Sequence, residues 1–222
     1  MGPAVNWIPG NLPLIGDLTL EHLYFALPPI VIGLVLAIPL GWLANRTRVG
    51  RTITINVAGL LYTIPSLALF VLLPPLLGTR ILDPINVIVA LTVYTVALLV
   101  RTVADALSAV PPVVVNSATA MGYGPLRRFA AVELPLSIPV VLAGLRVAAV
   151  SNISLVTVGA VIGFGGLGQM FTDGFQRGIP AEIVTGIVLV LLLALVVDGL
   201  LLLLGRFLTP WDRVGRSAGR PA

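Results

Sequence analysis

The 222-residue chain has no cysteine, no lysine and one histidine, His22. Without cysteine there is no disulfide, no thiol nucleophile and no thiolate-bound metal. Without lysine a Walker A motif cannot be completed, so the chain is not a P-loop ATPase. A lone histidine forms no H-E-x-x-H pair, and no nucleophile–base pairing or metal-ligand spacing stands out. The chain therefore does not read as an enzyme, and His22 reads as a surface or interface residue. Charge is scarce too: 10% of residues are charged and 6% aromatic, against 58% hydrophobic. Soluble domains carry about 25% charged residues, so this composition with long apolar runs predicts an all-α polytopic membrane protein.

Five runs are long enough to cross about 30 Å of hydrocarbon. They cover residues 21–44, 53–77, 86–107, 138–162 and 183–204. Prolines such as Pro28, Pro29 and Pro39 are tolerable there because neighbouring helices can satisfy the freed backbone groups. Residues 1–20 are rich in Pro and Gly and lack a basic n-region, so they read as a mobile or surface-lying lead-in rather than a signal peptide. Five spans put the termini on opposite sides. All thirteen basic residues are Arg. With the N-terminus outside, nine of them face the cytoplasm (Arg46, Arg48, Arg51, Arg127, Arg128, Arg206, Arg213, Arg216 and Arg220). Arg80 and Arg177 alone face outward, with Arg101 and Arg146 inside or at the edge of spans. The excess of Arg on one side sets the orientation. The predicted layout is an extracytoplasmic lead-in over 1–20, a transmembrane region over 21–205 and a cytoplasmic tail over 206–222.

The longest polar interruption, NSATAMGYGPLRRFAAVELPLSIP from Asn116 to Pro139, overlaps most of the predicted cytoplasmic coupling loop, 109–136. Ser117 to Met121 suits a short helix, and Gly122, Gly124 and Pro125 a turn. Leu126 to Val132 suits a second helix with Arg127 and Arg128 on one side. Pro135 and Pro139 then suit the first turns of the next membrane helix. This is the segment built to meet another protein.

The order small-Ala-x-x-Met-Gly, then Phe129, then Glu133-Leu134-Pro135-Leu136 resembles the cytoplasmic "EAA" coupling loop of ABC importer permeases. Gly122 stands at that motif's glycine, and Val132, Leu134 and Pro135 at its close. The chain departs at the head, where Asn116-Ser117-Ala118 replaces Glu-Ala-Ala; the Asn can still cap a helix. Tyr62-Thr63-Ile64-Pro65-Ser66-Leu67-Ala68-Leu69, Gly144-Leu145-Arg146 and Gly163-Phe164-Gly165-Gly166-Leu167-Gly168 extend the resemblance to the glycine betaine/carnitine/choline branch. The resemblance implies a type I importer fold and a multi-pass protein of the bacterial inner membrane. It implies as partners two ATP-binding subunits, a second permease subunit, identical or related, and an extracytoplasmic substrate-binding protein. ATP and Mg would sit on the ATPase, with no cofactor, metal or nucleic acid on this chain. The activity implied is import of a quaternary amine by alternating access. The alternatives are an ABC permease for another small solute and an ion-coupled secondary carrier; a scaffold without a pore is a further one.

The candidate sites follow from these readings. Asn116, Ser117, Ala118, Gly122, Arg127, Arg128, Phe129, Glu133 and Pro135 form the ATPase-coupling loop. Tyr62, Ser66, Tyr94, Asn152 and Thr157 are polar groups within spans and so candidates for a translocation path. With Trp42 and Phe70, the two tyrosines could also contribute to an aromatic cage for a quaternary ammonium, but nothing in the spacing gathers them and lipid-facing or packing positions are the favoured reading. Asp198 lies about 12 Å along its helix from Arg206. It reads as a structural pair with Arg146 or Arg101, as a snorkelling side chain, or as the coupling group of a secondary carrier. Asp105 reads as a solvated helix end. Gly163, Gly165 and Gly168 spell G-x-G-x-x-G, with Glu182 near the distance of a ribose-binding acid. No βαβ unit surrounds them, so Gly163, Gly165, Gly166 and Gly168 read as a close-packed external turn, hinge or gate.

Overall fold

The structure is a computed structural model that describes residues 7–211. The first six residues of the expected lead-in and most of the expected tail, including Arg213, Arg216 and Arg220, lie outside the described residues. All regular elements among the described residues are helical: α1 (Leu12–Ala44), α2 (Arg48–Thr63), α3 (Ser66–Leu77), α4 (Pro84–Ser108), α5 (Pro112–Ala120), α6 (Pro125–Arg128), α7 (Leu134–Gly159), α8 (Gln169–Gln176) and α9 (Pro180–Leu208). A π-helical turn, Phe129–Glu133, joins α6 to α7, and a 3₁₀ turn, Ala160–Ile162, follows α7.

Among the described residues, four helical stretches are long and apolar enough to cross a membrane: α1, α4, Pro125–Ile162 and α9. The pair α2 and α3 makes a fifth only if counted as one span, because the two are bent by 101°. The continuous second span expected over 53–77 is therefore broken. Pro65 is the cause: it disfavours the helical region for the preceding residue, and Ile64 sits at φ −63°, ψ 129°. Two further expectations need correction. The first long helix does not begin at residue 21, because α1 already begins at Leu12, with a proline in its first turn, and takes in residues 12–20 of the expected mobile or surface-lying lead-in. Nor does a fresh membrane helix start after the polar loop, since the helix entered at Pro125 runs on into α7. Pro135 cannot donate to the turn before it; the wider π turn, in which Leu134 N–H reaches the Phe129 carbonyl, absorbs the mismatch. Pro139 lies inside α7.

Local signals explain the helix ends. Thr47 caps α2, its hydroxyl accepting from Gly50 N–H at 2.9 Å. Asp83 caps α4, accepting from Ile85 N–H at 3.0 Å. Gly78 ends α3 in the left-handed region at φ 69°.

The core forms around α4, whose Leu91, Leu99, Val103 and Ala104 are wholly buried. Three small-residue contacts bring its neighbours close. Gly33 and Gly41 of α1 meet Thr95 and Val103, and Gly144 of α7 meets Thr102. Such contacts let apolar helices pack by van der Waals fit where no hydrophobic effect distinguishes them from lipid. At the α1–α2 turn, Asn45 Nδ2 donates to the Ala104 carbonyl at 2.7 Å and Arg51 bonds Asp105 at 2.5 Å. Asp105 is thus a half-exposed ion-pair partner and not simply a solvated helix end.

Candidate functional site

The polar hairpin is clamped by its own side chains. α5 begins at Pro112, earlier than expected, so Asn116 stands exposed within the helix and caps nothing. Ser117 donates to the Val113 carbonyl at 2.8 Å, and Ala118 is buried. The helix ends in a paired turn, with Gly122 N–H bonded to the Thr119 carbonyl and Tyr123 N–H to the Ala118 carbonyl. That geometry needs a left-handed residue after the cap, and Gly122 supplies it at φ 84°. Arg128 closes the hairpin from the other side. Its Nε donates to Glu133 at 2.6 Å and an Nη to the Thr119 hydroxyl at 2.9 Å. Arg127 lies 4.6 Å over the Tyr123 ring. Three apolar side chains, Val113, Met121 and Leu126, are about two-thirds exposed on this hairpin.

The hairpin is not isolated from the membrane helices. Phe129 packs against Trp42 near the end of α1, ring centroids 4.9 Å apart, and Arg46 lies 4.1 Å over Trp42. This three-member stack was missed from sequence. Its available signal was the Trp42/Arg46 spacing of one helical turn.

At the α2–α3 break, Tyr62 and Tyr94 meet edge to face at 5.9 Å. The Tyr94 hydroxyl donates to the Ile64 carbonyl at 2.5 Å, so α4 takes up a carbonyl at the break. Tyr62 is 42% exposed while Tyr94 is buried; Ser66, the first residue of α3, is half-buried. Asn152 is buried, donating to Thr95 Oγ1 at 3.0 Å, and the half-exposed Thr157 donates to the Ser154 carbonyl. The structure thus brings Tyr62, Ser66 and Tyr94 together at the break and spends Tyr94 and Asn152 on internal bonds. Phe70 is buried in the core and Trp42 is in the hairpin stack, so these aromatics do not converge into a cage.

Arg146 and Asp198 meet in a two-pronged pair across α7 and α9, both N···O distances 2.7 Å. Arg101 is drawn instead toward Asp105, at 3.9 Å.

At the far end of α7, the glycine loop turns through left-handed Gly163 (φ 91°) and Gly166 (φ 81°). Gly168 packs so tightly that a Cβ there would stand 2.5 Å from the Thr157 carbonyl oxygen. The loop is held from α1: Gly166 N–H donates to Glu21 at 2.9 Å and Leu167 N–H to His22 Nδ1 at 3.2 Å. His22, read from sequence as a surface or interface residue, is completely buried within the chain. Beside the loop, a cleft of about 220 Å³ is lined in part by Phe164, Gln169, Thr172 and Asp173. Asp173 pairs with Arg177 at 2.9 Å and holds that guanidinium further above its usual range. Glu182 is buried at the start of α9 with Oε2 lacking a partner. With no strand among the described residues, the G-x-G-x-x-G spelling has no dinucleotide-binding context.

The sequence profile of the family described as "Binding-protein-dependent transport system inner membrane component" matches residues 30–210. The chain is similar to the osmoprotectant import permease protein OsmW of Salmonella typhimurium, 34% identical, covering 93% of this chain and 97% of OsmW. It is also similar to the glycine betaine/carnitine/choline transport system permease protein OpuCB of Bacillus subtilis, 33% identical over 86% of each chain. Among solved structures it resembles the MetNI methionine ABC transporter in an inward-facing conformation, with TM-score 0.72, 25% identity and coverage of 99% of this chain and 100% of that one.

Proposed function

Because the chain belongs to the family of binding-protein-dependent transport system inner membrane components, we propose that it is the permease subunit of an ATP-driven importer for a quaternary amine osmoprotectant, with glycine betaine, choline and carnitine as candidates. The observation that carries the mechanism is the clamped hairpin around Gly122, which presents exposed Val113, Met121 and Leu126 and is tied to α1 through Phe129 and Trp42. Similarity to OsmW and OpuCB over most of each chain supports the substrate class.

In this reading the hairpin lies in the cytoplasm against an ATPase subunit, and the distribution of Arg residues supports an external N-terminus. ATP is bound and hydrolysed by that partner. Its closure moves the hairpin as a rigid piece, and α1 and α7, both continuous with or packed on it, carry the motion across the bilayer. A second permease subunit completes the pathway, and an extracytoplasmic binding protein delivers substrate at the glycine-loop end. Tyr62, Ser66 and Thr157 are the exposed or half-exposed polar groups we place along the pathway. Asp198 has a structural role here, because both its oxygens are engaged by Arg146.

Uptake of radiolabelled glycine betaine, choline and carnitine tests the assignment in cells with the chain intact, deleted, or carrying Gly122→Val, with membrane insertion checked in parallel. Loss of uptake of one of these amines on deletion and in the inserted variant is the expected result. Unchanged uptake on deletion, in cells without a redundant carrier, would refute the substrate assignment.

A further inference from the structure

Glu21 and His22 are polar neighbours in an apolar helix, and neither belongs to the hairpin. His22 is 0% exposed. Its Nδ1 accepts from Leu167 N–H, so the other ring nitrogen carries the hydrogen and donates to the Ile153 carbonyl at 3.0 Å. One imidazole thereby joins α1 to α7 and to the glycine loop. Glu21, on the same helical turn, accepts from the adjacent loop residue, Gly166. The approach is close: a Cβ on Gly165 would fall on the Glu21 carboxylate, and one on Gly166 would stand 3.1 Å from His22 Nδ1. Two consecutive loop N–H groups are thus held by two consecutive side chains of α1.

Twenty residues further along the same helix, Trp42 stacks on Phe129 of the hairpin. Twenty residues of α-helix rise about 30 Å, the thickness of the hydrocarbon core. α1 therefore touches the hairpin at one end and the glycine loop at the other.

We propose that Glu21 and His22 are the positioning residues of an extracytoplasmic gate formed by Gly163 to Gly168, and that α1 transmits hairpin motion to it. This inference rests on the importer reading. A shift of Trp42 with the hairpin displaces α1 as a rod. Because the bonds to Gly166 and Leu167 arise from a single turn of that rod, they are released together. The loop then lifts from the end of α7.

The absence of native cysteine allows a direct test in the full transport complex in cells. Leu167 is wholly buried behind the latch, and Leu167→Cys places a thiol there for a membrane-impermeant maleimide added from outside. Labelling is expected to be slow at rest and about tenfold faster during turnover. Adding Glu21→Ala, which removes a charge-assisted bond, should raise the resting rate about tenfold, while Glu21→Gln, which keeps an acceptor oxygen, should change it less than about threefold. Trp42→Leu should abolish the turnover-dependent increase and leave the resting rate unchanged. Labelling after denaturation verifies the thiol, and Met170→Cys, at a buried position after the loop, serves if Leu167→Cys fails to insert. A thiol that stays protected while uptake proceeds, or a resting rate indifferent to Glu21→Ala, overturns the gate. If the unaltered chain supports no uptake the importer reading fails, and the resting rates still decide whether the latch exists.

Discussion

Replacing Gly41 by alanine probes how tightly α1 is seated on α4. A Cβ at this position would stand 2.7 Å from Val103 Cγ1, 2.9 Å from Val103 Cβ and 3.1 Å from the Ala104 nitrogen. Ordinary carbon contacts begin near 3.5 Å, so the helices must separate by several tenths of an ångström. Val103 cannot turn aside, because a β-branched side chain in a helix has essentially one rotamer and it is completely buried. Overpacking of this kind costs about 1–3 kcal/mol, while the glycine-to-alanine change returns up to about 1 kcal/mol in helix propensity. With about 1 kcal/mol returned, the net loss is about 0–2 kcal/mol. At about 2–4 °C per kcal/mol for a chain of this size, the melting temperature should fall by up to about 8 °C. Gly59, inside α2 with nothing within 4 Å of its would-be Cβ, is the control: Gly59→Ala should stabilise by up to about 1 kcal/mol. Thermal unfolding of the purified protein in detergent, followed by size-exclusion retention, reads both changes. Combining Gly41→Ala with Val103→Ala should cost less than the sum of the two alone, since the partners share one contact. Equal melting temperatures for Gly41→Ala and Gly59→Ala would refute the close seating of α1.

The hairpin turn and the α7–α9 pair give further expectations. At Gly122 the would-be Cβ meets nothing within 4 Å, so only the left-handed backbone matters. Gly122→Asn should retain uptake and Gly122→Val lose most of it at matched membrane levels, a β-branched residue being strained there by about 1–2 kcal/mol; equal uptake would count against the turn. Asp198→Ala leaves Arg146 without its partner and should lower the melting temperature more than the double replacement Arg146→Met with Asp198→Leu does. A double variant less stable than Asp198→Ala would contradict that order. Loss of uptake in a stable Asp198→Asn protein would revive a coupling role for that acid.

The apolar runs made most of the membrane helices legible, because a run of that length in a chain so poor in charge has few other fates. The hairpin was legible as well, from Gly122, Pro125 and the paired arginines. The break at Ile64 was within reach of the rule for residues preceding proline, but the absence of any charged residue over 53–77 suggested a single rod. Continuity from Pro125 into α7 was hidden because the π turn that accommodates Pro135 has no distinctive composition. For Asp198, sequence left Arg146 and Arg101 as partners, and only the facing of α7 and α9 selects Arg146. His22 was misread for the plainest reason: its partners lie 131 and 145 residues away, and no local pattern shows that a histidine will meet a loop amide and a distant carbonyl.

The length of α1 carries one more consequence. Its 33 residues make a rod about 50 Å long, whereas the hydrocarbon is about 30 Å thick. Membrane helices lean by at most about 40°, and a rod of that length leaning so far still spans about 38 Å along the bilayer normal. More than a turn of α1 must therefore project into a headgroup layer or beyond. The Leu12 end would then form a post rising beside the glycine loop, placing a rigid, membrane-anchored surface where a protein arriving from solution would first make contact.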